Sequence, residues 1–250
     1  MSLIEIEHVT RRFGGLVAVD DVTTRVEDGE LVGVIGPNGA GKTTLFNLIS
    51  GFTPLSSGTV RFKGETVSGL KPYRIAARGM SRTFQNLRVF PNMSVFDNVS
   101  VGAVGAMGQS ALGAVLGGAK RADAISARTW EALERVGLTD QAQELAANLS
   151  YGKRKYLEIA RALAMKPDLL ILDEPAAGLN DSETAELARF IKTLNGTGMA
   201  IMLVEHDMNL VMGICSRVVV LASGRKIADA EPAVVRADPV VLEAYLGVDD

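Results

Sequence analysis

Gly29 to Gly51 reads GELVGVIGPNGAGKTTLFNLISG. Leu31 to Ile35 is an unbroken apolar run, the mark of a strand buried on both faces of a parallel sheet. The next eight residues, Gly36-Pro37-Asn38-Gly39-Ala40-Gly41-Lys42-Thr43, match the pattern G-x-x-x-x-G-K-[ST]. Thr44, Leu45, Phe46, Leu48 and Ile49 continue as a helix, which Gly51 closes. Each part of this spacing has a physical reason. The glycines let the loop curl so that successive backbone N–H groups point inward at phosphate oxygens. The helix that follows adds its positive end. Lys42 supplies a mobile cation for the outer phosphates, and the Thr43 hydroxyl has the length to bind Mg²⁺. An ordinary glycine-rich turn needs neither the buried strand before it nor the helix after it. The stretch Gly36 to Thr44 is read as a nucleoside triphosphate site.

The bulk composition bounds what surrounds this site. The chain has 250 residues, 47% of them hydrophobic, which allows one large domain or two small ones with a substantial core. A formal net charge of -3 argues against general nucleic-acid binding, so any anion site must be local. Cys215 is the single cysteine, which excludes an intrachain disulfide and fits a reducing compartment; it reads as a small buried residue. The opening MSLIEIEHVTRRF alternates apolar and polar residues and reads as a strand, not as a signal peptide. Val101 to Ala119 lacks charge and approaches the length of a membrane span. Its many glycines weaken a helix by ~1 kcal/mol each relative to alanine, and it is read as not spanning.

Two further apolar runs end in polar residues. Leu169 to Leu172 is followed by Asp173 and Glu174. In open α/β sheets ligands bind at the carboxyl ends of strands. Asp173 is placed to hold Mg²⁺, and Glu174 to polarise an attacking water or accept its proton. Ala200 to Val204 leads to His206, which could contact a γ-phosphate from the same sheet edge. Gln85, in SRTFQN, follows a short extended run. Its carbonyl could bind Mg²⁺ and its amide the attacking water, or it could be a surface glutamine. The N-K-x-D motif of GTPases is absent from the sequence.

LSYGKRKY, Leu149 to Tyr156, opens a helix that runs on as LEIARALAM, and puts three bases at its entry. A helix N-terminus already carries partial positive charge, so this placement suggests an anion there. With GPNGAGKT, Gln85, this LSYGKRKYLEIARAL stretch, LLILDE and His206 in that order, the whole chain resembles the ATP-binding cassette ATPases. Closer matches in NLSYGKRKYLEIARAL, DEPAAGLN, RRFGGLVAVDDV and VLEAYLG resemble the Liv-type ATPases of branched-chain amino-acid importers.

The resemblance implies a P-loop α/β core with an N-terminal antiparallel β subdomain and a helical insertion. The core is expected at about 1–91 and 166–250, and the insertion at about 92–165, with no linker separating independent domains. It implies ATP and Mg²⁺ as ligands, with Gly36, Pro37, Asn38, Gly39, Ala40, Gly41, Lys42, Thr43 and Thr44 on the nucleotide and Phe13 stacked on adenine. Thr43, Gln85 and Asp173 would hold the metal, and Glu174, Gln85 and His206 would serve hydrolysis. Two cassettes, identical or paralogous, would pair head-to-tail. Ser150, Tyr151 and Gly152 of one would then cap the γ-phosphate held by the other, with Lys153, Arg154 and Lys155 adding to the local potential.

Further partners implied are integral membrane permease subunits, an extracytoplasmic solute-binding protein acting indirectly, and no nucleic acid. The place implied is the cytoplasmic face of a prokaryotic inner membrane. A groove lined by residues 86–101 would receive a short helix of the permease. Tyr151, Lys153 and Asn180 depart from the family pattern, which usually has Gly, Gln and Asp there. Three other readings remain open: a related importer for an amide, urea or polar solute, a soluble cassette ATPase, and a phosphotransferase.

Overall fold

A computed structural model describes residues 2–85, 87–106 and 118–246. The chain separates into two compact units, 1–75 with 171–250, and 76–170. The expected groove residue at position 86 and most of the uncharged Val101–Ala119 segment, 107–117, lie outside the described residues.

The first unit carries two sheets. One is antiparallel with strand order β2-β1-β4-β5. It is built from β1 (Ser2–Phe13), β2 (Leu16–Glu27), β4 (Ser57–Phe62) and β5 (Glu65–Thr66). The predicted alternation in β1 is interrupted. Its register to β2 shifts between Ile6 and Val9, and His8 takes a positive φ of 51°. His8 Nδ1 lies 2.8 Å from Asp21 Oδ1 on the surface, away from any strand end at the core.

The second sheet holds β3 (Leu31–Ile35) between β8 (Ala200–Val204) and β9 (Arg217–Ala222), both parallel to it. All five residues of β3, of β8 and of β7 (Leu169–Asp173) are buried. That is why each reads as a continuous apolar run rather than an alternating one. β9 turns back into β10 (Arg225–Ala230) through Ser223 and Gly224, both at positive φ, as a two-residue hairpin requires. Arg217 fastens this hairpin. Its guanidinium donates to Glu30, Asp229 and the Arg25 carbonyl, and these acids hold its pKa above the usual arginine value.

Helices cover the strands of this unit. α1 (Lys42–Ile49) follows β3 directly. α6 (Asp181–Asn195) begins with a reciprocal cap: Asn180 Oδ1 accepts from Glu183 N, and Glu183 Oε2 accepts from Asn180 N, each at 3.0 Å. α7 (Met208–Ile214), α8 (Pro232–Ala237) and α9 (Pro239–Leu246) complete it.

The second unit is mostly helical. It contains α3 (Val95–Ala106), α4 (Gly118–Arg135) and α5 (Tyr151–Leu163), with α2 (Pro72–Ala76) ending at its border. Its short strand β6 (Met80–Arg82) follows Gly79, whose carbonyl accepts from Asp168 N and Leu169 N as β7 begins. α4 is amphipathic as its sequence predicts, and Trp130 on it meets Phe96 of α3 with ring centroids 5.1 Å apart. The fully buried Asn98 secures the entry to α3: it accepts from Phe90 N and donates to the carbonyls of Phe90 and Ser94. α3 crosses α5 at Gly102, where an added Cβ would stand 2.0 Å from the Arg161 carbonyl oxygen. Among the described residues no helix is long and apolar enough to cross a membrane.

Two measurements follow from this packing. Gly102→Ala forces backbone apart at the α3–α5 crossing, and chemical denaturation should show a loss of about 1–3 kcal/mol; unchanged stability would contradict the close approach. Burial pushes the Cys215 thiol up to about 12. Only the thiolate reacts, so at pH 8 iodoacetamide should label Cys215 in the unfolded protein and hardly at all in the folded one.

Candidate functional site

The glycine-rich loop leaves β3 and enters α1 in six residues. Gly36 and Gly41 sit at φ 149° and 98°. A Cβ at Gly36 would stand 2.0 Å from the Leu221 carbonyl of β9, and one at Gly41 2.4 Å from the Ala18 carbonyl of β2. Backbone therefore presses the loop from two strands, and only glycine fits at either point. Ala40 is buried between them and its carbonyl accepts from Gly224 N at 3.1 Å. Asn38 and Gly39 are exposed at the crown of the loop. Pro37 and Thr44 are half-buried, and Thr43 is exposed on the first turn of α1.

The loop folds around a lysine. Lys42 is buried, and its Nζ donates to the carbonyls of Gly36 (2.6 Å) and Pro37 (3.0 Å). Burial lowers its pKa from the usual lysine value, and the charge of Glu174 opposes that shift. Glu174 is therefore within electrostatic reach of the loop.

Asp173 closes β7 and is buried, with Glu174 just beyond it. Glu174 takes a positive φ of 49°, rare for a residue with a side chain and a strained conformation of the kind that gathers at functional sites. Its backbone N donates to Val204 O at 2.9 Å, which sets the end of β7 beside the end of β8. His206 follows β8, and its Nε2 lies 2.8 Å from Glu174 Oε1. Two residues identified separately from sequence thus meet in one hydrogen bond. β3, β8 and β7 are adjacent in the sheet, so the loop, His206, Asp173 and Glu174 all lie at its carboxyl edge, where α/β folds bind ligands.

Phe13 ends β1, pairs with Leu16 of β2 and is 46% exposed. Its other neighbour is Arg11, whose guanidinium carbon lies 4.4 Å from the ring centroid while Nη1 donates to Pro54 O.

The remaining expected site residues lie in the second unit. Gln85 is exposed in a bend after β6. Ser150 is the N-cap of α5 and its Oγ accepts from Lys153 N at 3.4 Å, which leaves the hydroxyl hydrogen able to donate. Tyr151 is exposed and Gly152 half-buried on the first turn.

The three bases differ in placement. Arg154 turns back and donates to the carbonyls of Leu149 and Ala147, at 2.9 and 2.8 Å. Lys155 is buried, with its ammonium 5.6 Å from the Tyr151 ring centroid. Only Lys153 stays on the surface. Arg154 thus braces the helix entry and Lys155 packs near Tyr151, while both keep their charge close to it.

Asn180 differs in the same way. Its side chain is spent on the cap of α6, a role legible in the spacing Asn180-x-x-Glu183 but masked by its place in DEPAAGLND. Sequence reading also passed over Glu205. It is buried directly before His206 and accepts from Ala176 N at 2.7 Å and His206 N at 3.2 Å. Burial raises its pKa from the usual carboxylate value. An acid immediately after the apolar run of β8 was the signal available.

Comparison with known proteins agrees with this geometry. Residues 19–177 match the ABC transporter family model, and residues 225–250 match a model described as branched-chain amino acid ATP-binding cassette transporter. The chain is 42% identical over 249 residues to the high-affinity branched-chain amino acid transport ATP-binding protein BraF of Pseudomonas aeruginosa, covering 98% of each. It is equally 42% identical, over 251 residues, to the LivG protein of the same description in Escherichia coli K12, again covering 98% of each. Among solved structures, the ADP conformation of MJ1267, an ATP-binding cassette of an ABC transporter, superimposes with a TM-score of 0.87 at 30% identity over 99% of both chains. The chain belongs to the ABC transporter ATPases of the branched-chain amino acid (Liv) type, enzymes that couple ATP hydrolysis to transport.

Proposed function

We propose that this chain powers the import of branched-chain amino acids, with hydrolysis at the carboxyl edge of its parallel sheet. The observation that carries the assignment of chemistry is the 2.8 Å contact between His206 and Glu174, beside a loop whose lysine feels the Glu174 charge. The solute class rests on the described transport role of BraF and LivG.

The loop N–H groups and Lys42 take the β- and γ-phosphates, and Phe13 stacks on adenine. Phosphate oxygens replace the Gly36 and Pro37 carbonyls as partners of Lys42. Among the described residues no three acidic, histidine or cysteine side chains cluster into a protein-only metal cage. A hydroxyl and a strand-end carboxylate instead suit Mg²⁺, which keeps several waters and leans on substrate phosphates. Thr43 and Asp173 would hold that ion, which when bound would neutralise charge on the β- and γ-phosphates. Glu174 polarises the attacking water and takes up its proton. His206 holds Glu174 in place on one side and reaches the γ-phosphate on the other.

The site is completed by a second cassette, arranged head-to-tail. Its Ser150 hydroxyl, Gly152 N–H and the positive end of its α5 close over the γ-phosphate. Hydrolysis removes the bridging charge and loosens the pair. Permease subunits at the membrane feel that change through the second unit. A groove there of about 350 Å³, lined among others by Phe84, Phe90, Val101, Arg88 and Arg161, suits a short amphipathic helix. The peripheral place at the cytoplasmic side of a membrane follows from that docking.

The variant Glu174→Gln tests the assignment. Phosphate release should fall by roughly 100-fold or more while ATP binding persists, since the loop N–H groups and Lys42 that grip the phosphates are untouched. Light scattering should show an ATP-dependent dimer, and cells carrying the variant should lose uptake of labelled leucine. Normal phosphate release would contradict the role of Glu174, and normal leucine uptake would contradict the solute.

A further inference from the structure

We infer that Glu205 is a positioning residue for hydrolysis, a single buried carboxylate that fixes the backbones of both Glu174 and His206. This rests on the assignment of those two residues to the chemistry. The carboxylate oxygens divide their work. Oε1 accepts from Ala176 N at 2.7 Å, two residues beyond Glu174. Oε2 accepts from His206 N at 3.2 Å, at the turn after β8. The turn carrying Glu174 is thus held on both sides, by Glu174 N on Val204 O and by Ala176 N on Glu205.

The position argues for purpose. Glu205 is 4% exposed and follows five buried apolar residues of β8, where an apolar side chain would satisfy packing at no desolvation cost. A carboxylate there is compensated by the N–H groups it accepts from, and both belong to the turns that aim the hydrolytic side chains. Charge-assisted bonds of this type are stronger and more directional than neutral ones. They also counter the strain of Glu174 at positive φ, which persists only where neighbours over-determine it. The side chains so aimed meet at 2.8 Å, and a displacement of about 1 Å at such a pair can cost a hundredfold in rate.

The expected kinetics follow from geometry. Glu205→Ala removes both acceptors, so kcat for ATP should fall at least tenfold, with KM and ATP affinity within twofold of the parent. Glu205→Gln keeps one acceptor and turns an amide N–H₂ against the other donor, so its kcat should lie between. Because part of its effect runs through His206, Glu205→Ala should cost less in a His206→Ala background than in the parent, the arm that holds the Glu174 turn through Ala176 N remaining.

A residue that served stability alone would lower the unfolding midpoint, leave kcat per folded molecule intact and add its effect independently of His206. A folded Glu205→Ala protein with kcat within twofold of the parent overturns the inference, as does full additivity with His206→Ala. Glu174→Gln, run alongside, separates the two levels. If it hydrolyses ATP normally, the assignment of the chemistry fails; if it is inactive while Glu205→Ala is not, only the positioning role fails.

Discussion

Two strands squeeze one loop, and the site depends on that squeeze. The carbonyls of Ala18 on β2 and Leu221 on β9 come so close to Gly41 and Gly36 that no side chain can stand at either position. The loop is therefore defined by backbone on both flanks, before any ligand contributes. Inside it lies a buried ammonium, satisfied by the carbonyls of Gly36 and Pro37. A cation held in this way costs desolvation, and an anion arriving in the loop relieves that cost. The fold thus stores a preference for phosphate in its backbone geometry rather than in a large basic surface, in keeping with a chain whose formal net charge is -3.

The sheet then gathers the chemistry. β3, β8 and β7 are buried from end to end, so polar side chains can emerge only where the strands stop. Lys42, His206, Asp173 and Glu174 come from such ends or from just beyond them. The cost falls on the turns, and Glu174 bears it in a left-handed backbone conformation. The bonds around that turn, to Val204 O and to Glu205, offset the strain and hold the carboxylate against His206.

Legibility in the sequence followed burial. Apolar runs at 31–35, 169–172 and 200–204 announced strands covered on both faces, and the glycine pattern between the first of them and α1 announced a loop that only glycine fits at 36 and 41. What escaped notice was every case in which a side chain is spent on local backbone. Asn180 stood out only as a departure from the family pattern, and its side chain caps its own helix. Arg154 was read for its charge, and its bonds to the Leu149 and Ala147 carbonyls, which close the turn before α5, were not. Glu205 sat next to a conspicuous histidine, and nothing in its neighbours' identity revealed that Ala176, 29 residues away in sequence, would donate to it. Gly102 read as one more glycine in an uncharged stretch, and the crossing helix that requires it is more than fifty residues downstream. Such roles depend on long-range contacts, which pattern and spacing in one sequence do not encode.

Calorimetric titration of ATP into the parent protein and into Lys42→Ala tests the phosphate grip most directly. Loss of the enclosed ammonium should weaken ATP at least tenfold, about 1.4 kcal/mol, with the circular dichroism of the folded protein unchanged. Equal affinity in the two proteins would mean that the loop does not hold the triphosphate through Lys42, and the site would have to be sought elsewhere on the sheet.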